Sequence, residues 1–195
     1  MAVAAIVLRT DRLVLRGWRP DDREPYAALN ADPEVMEHFP RVLDRATSDT
    51  EADRLASDLE RDGWGLWAVA LAADDRFIGF TGLDVVDFPA RFTPATEIGW
   101  RFTREAWGHG YATEAARVVL EFAFENLGLD EVVSFTATTN DRSQRVMERL
   151  GMHHDPADDF DHPRLSEGHR LRRHVLYRMT AAEWLELSSA PRGLG

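Results

Sequence analysis

The stretch from Tyr111 to Asn126 constrains this chain more than any other. Ala112, Ala115, Ala116, Val119, Leu120, Ala123 and Phe124 recur at three- and four-residue spacing, which places them on one stripe of a helix, and Gly128 follows as a stop. Strand-like runs stand on both sides of it. Leu66 to Leu71 is almost wholly apolar, Phe77 to Val86 is interrupted by glycine, and Thr96 to Phe102 follows a loop containing proline. Asp74-Asp75-Arg76 suits a hairpin between the first two, and β-branched Glu131 to Thr138 forms a strand after the helix.

The remaining elements are shorter. Arg12 to Trp18 alternates as a strand, and Pro20 opens a helix near its first turn. Tyr26, Leu29, Val35, Met36 and Phe39 predict an apolar face on two short helices broken at Asp32-Pro33. Thr47 to Arg61 predicts a further helix, capped by Thr47 or Ser48, with Glu51 completing a capping box. Asn140 to Leu150 predicts a short helix with Asn140 as cap and Gly151 as left-handed stop, and His174 to Met179 a last strand. This order of elements reads as α+β with a mixed sheet. A length of 195 residues fits one domain.

Composition removes several classes of function. The chain has no cysteine, which excludes disulfides, thiolate metal sites and a cysteine nucleophile. It has no apolar run of about 18 residues, so no membrane span is expected. Val3 to Leu8 is too short for a secretory segment and lacks preceding basic residues, so the cytoplasm is the default location. The net charge is −11, from 34 acidic residues against 23 basic ones, every one of them arginine. Arginine without lysine points to a GC-rich bacterial source. The acidic field opposes nucleic-acid binding; it either serves solubility alone or favours cationic partners such as amines.

The chemistry starts between the strand ending at Phe102 and the helix starting near Tyr111. Gly108 and Gly110 permit backbone conformations and close approaches that a Cβ would block, and the helix behind them offers unpaired N–H groups and a positive dipole end. Such a turn can hold a pyrophosphate, although glycines there also serve steric needs alone. A dinucleotide fingerprint is excluded because Thr113 stands where its third glycine belongs, and a P-loop is excluded because there is no lysine.

Glu97-Ile98-Gly99-Trp100 followed by Trp107-Gly108-His109-Gly110-Tyr111-Ala112-Thr113-Glu114-Ala115 resembles the acetyl-CoA motif of the GNAT N-acetyltransferases. Asn140-Asp141-Arg142-Ser143, continuing to Leu150-Gly151, resembles the family's next motif. Thr10 to Arg16 and Asp32 to Met36 resemble the RimJ/RimL-like branch, whose founders acetylate ribosomal-protein N-termini. The resemblance covers about residues 10–184, so it implies a single GNAT domain there, a mixed and mostly antiparallel sheet flanked by helices, with 1–9 and 185–195 as extensions. It implies transfer of acetyl from acetyl-CoA directly onto a primary amine of a protein N-terminus, an amino sugar or antibiotic, or another small amine. A homodimer is a possible assembly. A non-catalytic acetyl-CoA sensor, or a transferase of a longer acyl group, would share the same motifs.

What the resemblance implies for single residues is specific. Main-chain groups of Ile98, Trp100, Phe102 and Thr103 would pair with the pantetheine arm. Amides of Trp107, Gly108, His109, Gly110, Tyr111, Ala112 and Thr113 would hold the pyrophosphate. Asn140 would contact the pantetheine or acetyl region, and Ser143 the departing thiolate. The tyrosine that many relatives use as acid is Met147 here, leaving Ser143, Tyr177 or water to protonate the thiolate. Glu97 is the candidate base, or an exposed cross-strand partner. Arg142, Arg145 and Arg149 fit a solvated helix face better than a phosphate clamp. Trp64, Trp67 and Phe39 read as core or as an acceptor pocket. The loop His153 to Pro163 has metal-ligand types without ligand spacing, so no metal is expected; Asp159, Asp161 and His162 are candidates for the acceptor site.

Overall fold

The computed structural model describes residues 6–189, so the expected extensions lie partly outside the described residues. The sheet is assembled from β1 (Leu8–Arg9), β2 (Leu13–Arg16), β3 (Leu66–Leu71), β4 (Phe77–Val85), β5 (Thr96–Phe102), β6 (Glu131–Ala137), β7 (His153–His154), β8 (Phe160–Asp161) and β9 (Arg173–Thr180). Their spatial order is β1-β2-β3-β4-β5-β6-β9-β7, with β8 also on β9. Neighbours are antiparallel except for β5 and β6, which run parallel. The helices are α1 (Arg23–Ala31), α2 (Arg45–Asp62), α3 (Tyr111–Glu121), α4 (Asp141–Leu150) and α5 (Ala181–Ser189). The expected α+β fold with a mixed, mostly antiparallel sheet is the one observed.

Two cores cover the sheet. Trp67 and Val69 of β3 join Ala115, Ala116, Val119 and Leu120 of α3 and Met147 and Leu150 of α4 in one core. Ala68, between them in sequence, turns to the other face and packs with Tyr26 and Leu29 of α1 and Ala52 and Leu55 of α2. This is the period-two alternation of a strand buried on both faces. A register shift opposite Val69 and Ala70 lets Ile78 face the first core while Phe77 and Phe80 face the second.

The structure changes four local expectations. The helix through Asn126 is α-helical only to Glu121; Phe122–Asn126 form a π turn that keeps Phe122 and Ala123 buried. α2 is capped by Asp44, whose carboxylate accepts from the Thr47 N–H at 2.8 Å. Ser48 is instead buried, accepting from Asn30 at 3.3 Å, and Glu51 accepts from the Tyr26 hydroxyl, so no capping box forms at Thr47. Residues 33–40 are turns and not a second helix, because the Asp32 carboxylate takes the Glu34 N–H at 2.9 Å. The short strands β1, β7 and β8 and helix α5 are additional to the elements expected.

Candidate active site

β5 and β6 begin side by side and then part. Glu97 is in register with Val133, and one residue on the Ser134 hydroxyl donates to the Ile98 carbonyl at 2.9 Å. Past that bond the ladder does not continue. The next β5 residue whose main chain faces the gap is Trp100, because N–H and C=O groups alternate between the two edges of a strand. A cavity of about 850 Å³ opens there, lined by β5, the Trp107–Thr113 turn, α4, the 34–40 turns and the 162–174 region.

One end of this cavity suits an anion. Gly108 and Gly110 have φ of 78° and 79°, a left-handed conformation that a side chain rarely adopts, and Gly110 caps α3. No side chain caps this helix start, and the first helical backbone bond runs from Glu114 to Gly110, which leaves the amides of Tyr111, Ala112 and Thr113 without helical acceptors. Arg12 braces the turn: it donates to the His109 carbonyl at 3.1 Å, pairs with Glu114 and lies over the Tyr111 ring. Arg142, Arg145 and Arg149 all line the cavity, and the Arg142 guanidinium sits 4.2 Å over the Trp107 ring. All three are exposed, as a solvated face requires, and they border the cavity as well. The spacing of these arginines on α4 turns them toward the same cavity as the glycine turn.

The expected residues divide clearly. Trp100, Phe102, Trp107, Gly108, Gly110, Tyr111, Ala112, Thr113, Asn140, Ser143, Glu97 and His162 line the cavity. Ile98 is wholly buried in the first core, and the Thr103 N–H is used by the Ile78 carbonyl of β4. The exposed His109 ring stacks on Tyr111 outside the cavity wall. Asn140 is the cap of α4, accepting from the Ser143 N–H at 3.2 Å and donating to Thr136 at 2.9 Å. Met147 lines the cavity and is buried. Tyr177 does not reach the wall; its hydroxyl donates to Glu148 at 3.4 Å.

Asp159 and Asp161 do not reach the cavity either. Asp159 pairs with His154 at 2.7 Å, and Asp161 faces Arg172 and Arg173 because β8 alternates, sending Phe160 inward among Phe88, Phe92 and Phe135. Trp67 is core, Trp64 packs against it, and Phe39 lines the cavity.

Glu97 stands at the opening of the gap. Its register partner on β4 is Asp84, so two carboxylates adjoin on one face. Desolvation first, and repulsion from Asp84 second, push the Glu97 carboxyl up to about 8. The side chain borders the cavity and so keeps some exposure, while dense protein surrounds the rest of it. Desolvation also raises Asp84. Three histidines that line the cavity are shifted toward the neutral form: burial lowers His38 and His162, and burial lowers His174 to about 4, with its Nδ1 beside the Arg172 carbonyl. From sequence His174 reads only as the first residue of the last strand. Only the pairing of β9 beside β6 brings it here.

Among the described residues no group of three or more potential ligands could hold a metal ion, and no helix is long and apolar enough to cross a membrane.

Comparison with known proteins agrees with this geometry. The family model described as Acetyltransferase (GNAT) domain matches residues 12–153. An FsC-acetyl coenzyme A-N(2)-transacetylase of Aspergillus fumigatus is 34% identical over 193 residues, covering 92% of this chain and 78% of the relative. A GNAT-family acetyltransferase structure from Bacillus anthracis superposes with a TM-score of 0.76 at 22% identity, covering 91% of this chain and 100% of that one. A spermidine N-acetyltransferase of Vibrio cholerae, solved with CoA and spermine, gives 0.70 at 18%, covering 90% and 99%. With a strand gap, an uncapped glycine-led helix start and a raised carboxylate at the junction, this chain belongs to the GNAT family of acetyl-CoA-dependent N-acetyltransferases.

Proposed function

We propose that the chain moves acetyl directly from acetyl-CoA to a primary amine in a ternary complex, with Glu97 as general base. The observation that carries this is the Asp84–Glu97 pair at the mouth of the β5–β6 gap, with Glu97 raised to about 8. An arriving ammonium stabilises the ionised pair. Glu97 then takes the amine proton, directly or through water, and the neutral amine attacks the thioester. Main-chain groups facing the gap at Trp100 would hold the pantetheine arm as an added strand does. The α3 amides and the α4 arginines would hold the phosphates. Ser143, in the first turn of α4 and facing the cavity, is the donor to the departing thiolate, since Met147 has no proton to give.

The domain would span residues 10–184 of a cytoplasmic protein, and the resemblance of Thr10–Arg16 and Asp32–Met36 to the RimJ/RimL-like branch supports a position in it. The relatives named above act on the N(2) amine of FsC and on spermidine, so small polyfunctional amines are acceptors to test beside peptide N-termini. Thiol release across such a panel, followed against pH, is the experiment. The rate should rise through about pH 8, and Glu97→Gln should lower kcat roughly 10²–10⁴-fold and abolish that dependence. Ser143→Ala should lower kcat with little change in the KM for acetyl-CoA. A Glu97→Gln enzyme within threefold of wild type would remove Glu97 from the mechanism.

A further inference from the structure

Arg101 lies on the same face of β5 as Glu97, since positions 97, 99 and 101 share the period of two. Gly99, between them, adds no side chain, so the strand offers an open floor. A Cβ built there would meet only Glu97 Oε1, at 3.9 Å. The Arg101 guanidinium is held in one orientation: its Cζ lies 4.0 Å from the Phe39 ring centroid and 5.2 Å from that of Phe80, and Nη1 donates to Asn30 at 2.6 Å. Its Nε is buried and has no hydrogen-bond partner. No carboxylate of the described residues pairs with it. Glu51, whose charge it feels, is engaged by the Tyr26 hydroxyl. Both Arg101 and Glu97 line the cavity.

A half-buried cation without a counter-ion is costly, and a clamp between β5 and α1 needs no charge. The charge has a use if an anion comes to it. Resting on the acetyltransferase reading above, we propose that Arg101 is a specificity-determining residue that binds a carboxylate of the acceptor, so that the preferred acceptor is an amino acid or amino-acyl compound with an anionic group distal to its reacting amine. The Asp84–Glu97 pair receives the ammonium end. The fork of Arg101 receives the carboxylate end, roughly 13 Å further along the strand at the Cα level and less between the functional groups. Such a zwitterion also suits an acidic protein, which would repel a simple carboxylate.

The test uses ω-amino acids of three to eight carbons against n-alkylamines of the same length, with acetyl-CoA as donor. Wild type should prefer one length of amino acid, near six carbons, over its alkylamine by tenfold or more in kcat/KM. In Arg101→Met that ratio should fall to about one, and in Arg101→Lys it should lie between, with acetyl-CoA affinity by calorimetry reporting that each variant is folded. In wild type alone, hexanoate should compete with the amine and not with acetyl-CoA. Equal turnover of amino acid and alkylamine by wild type would overturn the inference and leave the acetyltransferase reading standing. So would a preference that survives Arg101→Met, or a defect confined to acetyl-CoA binding. Acetyl-CoA binding with no amine turned over would sink both.

Discussion

Arg142 shows how one side chain joins packing to binding. It sits over the Trp107 ring, so the stack orients a charge that would otherwise wander in solvent, and the Trp107 indole is itself fixed by donating to the Phe102 carbonyl at 3.0 Å. Both residues border the uncapped start of α3, where three amides await an acceptor. Arg142→Met keeps the hydrophobic contact and removes the charge. It should raise the KM for acetyl-CoA about tenfold, leave kcat within about threefold, and flatten the dependence of that KM on salt. A KM unchanged between low and high salt in both proteins would show that Arg142 does not meet the phosphates. Sequence spacing alone fits a solvated stripe as well as a clamp, because the difference lies in what faces α4 across the cavity.

At the scale of elements, the glycine turn and the helix it starts form one device. Gly110 serves as the cap of α3 with φ of 79°, and a Cβ there would find room, with Arg12 Nη2 as its nearest neighbour at 3.8 Å. The objection to a side chain is therefore conformational and not steric. Gly110→Ala should cost about 1–2 kcal/mol, lower the Tm by roughly 2–8 °C, and weaken acetyl-CoA binding as the amides turn away. Full stability with normal affinity would show that the left-handed cap is dispensable. The same locality explains what could be read without coordinates. α3, α4 and their glycine stops are written in residues that contact each other along one helix, and Asn140 caps α4 as its position predicts. The cap of α2 is not legible locally because Ser48 and Glu51 are claimed by α1, through Asn30 and Tyr26, and the turns at 33–40 arise because the Asp32 carboxylate takes the Glu34 N–H. β7 and β8 have two residues each and exist only as partners of β9. His162 and His174 become part of the site through that same edge, and the one local signal for them was the His- and Asp-rich loop.

Across the whole molecule, the cavity face sets a limit on stability at both ends of the pH scale. Glu97 has a folded pKa raised to about 8 from 4.5, so the folded state holds its proton more firmly than the unfolded chain does. Its favourable contribution is complete below about pH 4.5 and is lost as pH rises through 8. His174 is shifted the other way, to about 4 from 6.5, so its contribution is complete above about pH 6.5 and is lost as pH falls through 4. The two windows overlap between about pH 4.5 and 6.5 and arise on one face, where a buried charge would be useful only when substrate supplies its partner. Glu97→Gln should therefore raise the Tm at pH 9, by about 4–8 °C for an effect on the order of 2 kcal/mol, and change it little at pH 4.5. His174→Gln, which removes the titration and keeps a polar side chain, should narrow the Tm gap between pH 7 and pH 5 relative to wild type. A carboxylated amine bound with CoA should protect wild type at pH 9 by more than CoA alone, because its ammonium partners the ionised Glu97. Melting curves for the three proteins at these pH values decide the matter: parallel pH profiles for wild type and both variants would mean that neither group carries the strain assigned to it.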